Sequence, residues 1–347
     1  MLCLGHEWPW FYRSLGFSRK GIYWRDKQHQ VRDWESFLHH LNEFEPEQLH
    51  FGSLECSWQK PPRLLEQYHE LVFDIDLTDF QRFCPCGEKK QACHQCWLHI
   101  EGVQLVLHHL LCHLLGIEER YLLWVFSGKK GIHCLVNDPR LMQLNQQGRQ
   151  RLIALFSRAT VQLLSQFIHQ VPTEFLEQVN QLFLQRAVQD RGYLRMENFR
   201  THCLKLVKSQ NQAMHRQLFY EWYKPTNHTS LGDWQVLLEI EKELDLPLVD
   251  CPSTLIAMQC FYPHIDAGPL QLTHLYKLPF SIHGDTERVA LPLQRHQLVS
   301  NEWPEGALTR RQLVEQHQQG HLPLQFTEGC TQFSIWLQQG HVKEALF

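Results

Sequence analysis

Hydrophobic and polar positions alternate most sharply over Glu70-Leu-Val-Phe-Asp-Ile-Asp-Leu77. Successive strand side chains point to opposite faces, so Leu71, Phe73, Ile75 and Leu77 are expected in a core. Val72, Asp74 and Asp76 then share the other face. A second extended region runs over Tyr121–Val136 and folds on itself at Ser127-Gly-Lys-Lys-Gly131. Between the two, Val103, Val106, Leu107, Leu110, Leu111, Leu114 and Leu115 recur at steps of three and four, the stripe of an amphipathic helix. Strand, helix, strand in that order indicates an α/β layer arrangement. From Pro139 to Asp250 the period becomes helical, with Leu152, Phe156, Ala159, Leu163 and Phe167 on one face and Pro247 and Pro252 closing the segment. Residues 1–60 are aromatic-rich and broken by Gly16, Gly21 and Gly52, which suggests short strands. Cys260–Leu293 reads as strand-like material with turns, and the tail from Thr309 as helix. The expected class is therefore α/β (α+β). A strand-rich catalytic core over 1–138 and 252–300 would enclose a cysteine motif at 80–97, with a helical insertion at 139–251. A C-terminal helical tail at 301–347 would pack on the core.

Composition narrows the function. The chain has 347 residues, 43% hydrophobic and 20% charged, too apolar for a disordered protein. Its 33 basic and 37 acidic residues give a net charge of −4, which argues against a polybasic nucleic-acid coat. An enzyme that meets nucleic acid through a local patch remains open. Such a chain would hold nucleic acid weakly by itself. With 23 histidines, no single histidine marks a site. No run reaches the ~20 apolar residues of a membrane helix. The start, MLCLGHEWPWFYR, lacks the features of a secretory signal, so an intracellular, reducing location is expected.

The chemistry begins with Asp74 and Asp76. Two carboxylates on one strand face, about 7 Å apart by the strand rise, repel unless a cation lies between them. Magnesium or manganese suits such oxygens. The bland alternative is a strand end with two solvated acids, disfavoured by the four alternating apolar residues. A functional rival is a haloacid-dehalogenase-type phosphatase, with Asp74 as nucleophile and Asp76 as acid/base. It would require a doubly wound parallel sheet and a later acidic pair, for which Gly284-Asp285 lacks the second acid. Cys84, Cys86, Cys93 and Cys96 have the spacing of a structural zinc site, with His94 an alternative ligand to Cys86. The basic turn Ser127, Gly128, Lys129, Lys130 and Gly131, followed by His133, offers donors and charge for phosphate. Tyr262-Pro-His-Ile-Asp266 supplies a possible third carboxylate, and His274, Lys277 and His283 further phosphate contacts. Each of these segments alone is more often ordinary surface.

The ordered set FDIDLTDF, cysteine cluster, SGKKGIHCLV, YPHID and HLYKLPFSIH resembles the small catalytic subunit of the archaeo-eukaryotic (eukaryotic-type) DNA primase, over about residues 6–293. The resemblance implies a primase-type fold with a zinc motif and a helical subdomain. It implies Asp74, Asp76 and Asp266 as acids holding two Mg2+ or Mn2+ ions. Ser127, Gly128, Lys129, Lys130, Gly131 and His133 would bind the incoming nucleotide, with His274, Lys277 and His283 at its phosphates. Glu7 falls at the family's active-site glutamate and Arg25 at a basic residue near the site. The chain departs from the family pattern where Lys129-Lys130 replaces Arg-Arg, which loses bidentate geometry, where His6 replaces an arginine, and in the spacing of the first cysteines.

The expected activity is DNA primase catalysis: template-directed, de novo synthesis of short RNA primers from ribonucleoside triphosphates on single-stranded DNA during replication. The family implies a nuclear setting with the primase large subunit and the DNA polymerase alpha complex as partners. A monomeric primase-polymerase of damage tolerance, the phosphatase, and a non-catalytic zinc-bearing module are the alternatives.

Overall fold

The computed structural model describes residues 13–25, 34–55, 67–78, 94–156, 161–225, 227–272, 274–298, 303 and 305–339. Contacts divide the chain into two compact units: 1–76 with 115–157 and 265–347, and 77–114 with 158–264. The first unit opens with β1 (Arg13–Arg19), β2 (Ile22–Arg25), α1 (Trp34–Phe44), β3 (Gln48–Glu55), β4 (Gln67–Tyr68) and β5 (Leu71–Asp76). After α2 (His94–His109) in the second unit, the chain returns with β6 (Leu122–Phe126), β7 (Gly131–Val136), α3 (Pro139–Met142) and α4 (Gln146–Phe156). The second unit then continues through α5 (Val161–Ile168), α6 (Thr173–Phe183), α7 (Glu197–Gln210), α8 (Gln212–Tyr223), α9 (Ser230–Glu243) and α10 (Pro252–Phe261). The first unit closes with β8 (Tyr276–Lys277), β9 (Pro292–Leu293), α11 (Arg295–Leu298), α12 (Arg310–Gln318) and α13 (Leu324–Gln339).

Both sheets belong to the first unit and are antiparallel. One has the order β2-β1-β3-β4, with β8 also paired to β3; the other has the order β5-β7-β6-β9. The architecture is thus α+β, and the strand-helix-strand layer expected from the sequence does not form. The β6–β7 hairpin closes across a short turn, and β7 rather than β6 pairs with β5. Helix α2 groups with the helical unit. A doubly wound parallel sheet, which the phosphatase reading requires, is absent among the described residues.

The β5 alternation holds as the pattern requires. Leu71, Phe73 and Ile75 are fully buried, each contributing roughly 1.5–3 kcal/mol, and Phe73 meets Phe156 of α4 at 5.1 Å. Val72 is also buried, with Leu123, Val125 and Leu135, in a core that includes Phe17 and Phe51 of the other sheet and Phe333 and Trp336 of α13. The face bearing Asp74 and Asp76 is therefore apolar at one end and acidic at the other. Trp336 seals α13 to the hairpin: its indole N–H donates to the Tyr121 carbonyl (2.9 Å), and its own carbonyl accepts from Asn137 (2.8 Å).

Two local expectations need correction. Residues 1–60 contain α1 between short strands; Phe37 and His40 are buried while Glu35 and Glu43 are exposed, an amphipathic pattern hidden by the aromatic density. Cys260 lies in α10, and from there to Leu293 only β8 and β9, two residues each, are strand among the described residues. Pro263, Pro269 and Pro279 withhold the N–H groups that a longer ladder needs. In the helical unit α10 is mostly apolar and buried, with Phe261 6.0 Å from Phe183, which lies 5.0 Å from Trp234 in a tilted arrangement.

Candidate active site

Sheet register brings the diacid to the basic hairpin. Across β5–β7, Asp74 pairs with His133 and Asp76 with Gly131. His133 Nε2 lies 3.4 Å from an Asp74 carboxylate oxygen, and Lys130 Nζ 3.7 Å from Asp76. Burial holds the His133 imidazole below its usual range, with Asp74 pulling the other way, so it is neutral at pH 7.

The turn between β6 and β7 is built by its own side chains. Ser127 Oγ accepts from the Gly131 N–H (3.1 Å) and the Lys129 N–H (3.4 Å), so these two amides point into the turn. Gly128 has φ +91°, a left-handed conformation, and its carbonyl accepts from Thr286 Oγ1 at 2.6 Å. Gly131 is required by close approach: a Cβ there would stand 2.3 Å from the Ile75 carbonyl oxygen. Gly131→Ala is expected to push β7 off β5 beside Asp76 and lower stability by about 1–3 kcal/mol, read as a shifted urea-unfolding midpoint.

The other sheet supplies the opposite wall. Lys277 of β8 pairs with His50 of β3, and its Nζ donates to the Ser127 carbonyl at 2.6 Å. Burial lowers the Lys277 pKa to about 8 despite Asp74 nearby, so the ammonium persists at neutral pH. His283 and His50 are both held at about 4, chiefly by burial and then by Lys277. His50 and His283 are therefore neutral at pH 7, while Lys277 is charged. Lys129 is ion-paired with Asp285. Asp74, Asp76, Ser127, Lys129, Lys130, Gly131, His133, His274, Lys277 and His283 all line one recess of about 290 Å³. Gly128 lies behind the turn, against His283.

Asp266 is brought close through its backbone. Its N–H donates to the Asp74 carbonyl (3.4 Å), and its carboxylate accepts from the Gly268 N–H (2.9 Å). Among the described residues no three His, Cys, Asp or Glu side chains form a ready metal cluster. Each acid takes a local donor or base: His133 for Asp74, Lys130 for Asp76 and the Gly268 N–H for Asp266. The donor set still fits a hard divalent ion: two carboxylates share one strand face, partly exposed, and the exposed Asp266 is tied to Asp74 through its backbone, its side chain outside the lining of the recess.

Arg25 ends the exposed edge strand β2, opposite Gly16, and does not line the recess. Glu7, Cys84, Cys86 and Cys93 lie outside the described residues, as does the side chain of Cys96, which falls in α2. His50 was not foreseen from the sequence; only the β3–β8 pairing places it at the recess.

An acidic strand face is thus opposed by lysines in one small recess. The family model for the DNA primase small subunit matches residues 73–295. The DNA primase small subunit of Saccharomyces cerevisiae is 26% identical over 315 residues, covering 84% of this chain and 73% of that protein. That of Schizosaccharomyces pombe is 26% identical over 248 residues, covering 67% and 53%. The archaeal DNA primase small subunit PriS of Pyrococcus furiosus is 25% identical over 157 residues, covering 45% and 44%. The matched region thus spans between about half and three quarters of the yeast relatives. The chain belongs to the DNA primase small subunit family.

Proposed function

We propose that this chain is the catalytic subunit of a DNA primase, making short RNA primers de novo on single-stranded DNA from ribonucleoside triphosphates. The observation that carries this reading is the register that sets Asp74 and Asp76 against the lysine-bearing hairpin and Lys277 in one recess. Asp74, Asp76 and Asp266 would hold Mg2+ or Mn2+. The bound ions would lower the pKa of an attacking 3′-hydroxyl and neutralise charge on the reacting phosphates. Lys129, Lys130 and Lys277 would grip the triphosphate. His283, neutral in the free protein, would gain a proton or donate from one nitrogen once phosphate charge faces it. The rigid Ser127–Gly131 turn would keep these groups from reorganising as charge moves to the pyrophosphate.

Cys84, Cys86, Cys93 and Cys96 would bind a structural zinc ion. A net charge of −4 and family membership support a partner that holds the template: the primase large subunit, within a DNA polymerase alpha complex in the nucleus. No helix among the described residues is long and apolar enough to cross a membrane.

The decisive assay offers the purified chain, with and without the large subunit, an unprimed single-stranded template and ribonucleotides. Short RNA that requires Mg2+ or Mn2+ is the expected product, and metal analysis of the same preparation should find zinc. Extension of a supplied primer with deoxynucleotides alone would favour a damage-tolerance polymerase instead.

A further inference from the structure

Three side chains outside the recess pin the segment that carries Asp266 and His274. The Leu270 carbonyl accepts from Arg149 Nη1 at 3.3 Å, the Leu272 N–H donates to Gln146 Oε1 at 3.4 Å, and the His274 carbonyl meets His69 Nε2 at 3.0 Å. Gln146 and Arg149 lie one turn apart on α4, and His69 immediately precedes the entry to β5.

Arg149 is 0% exposed. Its guanidinium donates to carbonyls on both sides of the junction: Leu270 in the segment, His69 and Glu70 before β5, and Met142 and Leu144 before α4. Burial draws its pKa down to about 10, so it stays charged at neutral pH. Burying a guanidinium is costly, and an apolar side chain of like size would hold a loop to a helix with less penalty. What the guanidinium adds is a rigid planar fork whose donors set backbone positions relative to one another. His69 is the weaker element. Its two nitrogens face the Glu70 (2.7 Å) and His274 carbonyls, yet burial holds it near pKa 4, so at pH 7 its single proton serves one of them.

We infer that Arg149, supported by Gln146, is a positioning residue that sets Asp266 and His274 against Asp74 and Asp76, and thereby sets the divalent-cation affinity of the site. This inference rests on the three-carboxylate reading proposed above. The carboxylates keep their chemistry in its absence; what changes is how often the third stands within reach of the other two. Groups bonded directly to metal ligands typically move affinity by about 10–100-fold, and Arg149, acting on the backbone at Leu270, is expected at the lower end of that range.

The test titrates Mn2+ into the purified full chain without nucleotide, following the free ion by electron paramagnetic resonance. Arg149→Lys, which keeps charge but loses the fork, is expected to weaken Mn2+ binding by about 10-fold. Gln146→Ala, which deletes one partly exposed contact, should weaken it by about threefold and speed hydrogen exchange at the Leu272 amide, with α13 amides unchanged. If Arg149→Lys gives no cooperative melt, Gln146→Ala decides the matter through the same two readouts. Asp74→Asn serves as reference. Loss of Mn2+ binding in Asp74→Asn together with wild-type affinity in both clamp variants would overturn the clamp alone. Intact binding in Asp74→Asn would overturn the site reading, and the clamp with it.

Discussion

Asp74→Asn is expected to reduce primer synthesis at least about 1,000-fold while leaving the melting temperature little changed. Asparagine keeps the size and one acceptor of the carboxylate but removes the charge that a divalent ion needs. The fold has little to lose. Asp74 is partly exposed and its neighbour His133, 3.4 Å away, is neutral at pH 7, so what is lost is chiefly its attraction for the Lys277 ammonium. Removing one of two like charges on the same strand face also relieves repulsion with Asp76. Template-dependent incorporation measured beside a thermal melt checks both halves. Synthesis within about tenfold of the unaltered chain would mean that Asp74 is not a metal ligand.

Lys277→Met should lower kcat/KM for nucleotide by about 10–100-fold, since a charge-assisted contact to phosphate is worth roughly 1.5–3 kcal/mol. The pH dependence gives a second handle on the same residue. With its pKa near 8 in the free protein, Lys277 loses its charge as pH rises through that value, so kcat/KM should fall above about pH 8. Stability should move the other way. Between about 8 and the ordinary lysine value of 10.5 the unfolded chain binds the extra proton, so unfolding free energy rises with pH across that window. The Lys277→Met variant should lose this limb of the kcat/KM profile. A profile that keeps the limb would assign it to another group.

The candidate site was legible in part because β5 is a short-range object. Alternation over 70–77 follows from strand geometry alone, and the buried Leu71, Phe73 and Ile75 keep to it. The hairpin was equally local, since the glycines and lysines between two apolar runs leave the chain few other courses. The sheet order was not legible. Strand-helix-strand can precede a parallel crossover or, as here, an α2 that joins another unit while β7 takes the place beside β5. Helix α1 was missed for a different reason: an aromatic-rich stretch supports either period until one face is known to be buried.

What the residues by themselves determined was the chemistry: which acids share a face, which lysines sit on a tight turn, and that a later aspartate and lysine were available. Those properties depend on neighbours within a few positions, where backbone geometry sets the outcome. Only the tertiary structure decided which distant groups meet them. The β3–β8 pairing brings His50 and Lys277 to the recess, Arg149 on α4 reaches the segment bearing Asp266, and burial rather than composition leaves His283 and His133 neutral while Lys277 stays charged. Such effects arise from desolvation and from contacts far apart in the chain, which no local pattern encodes.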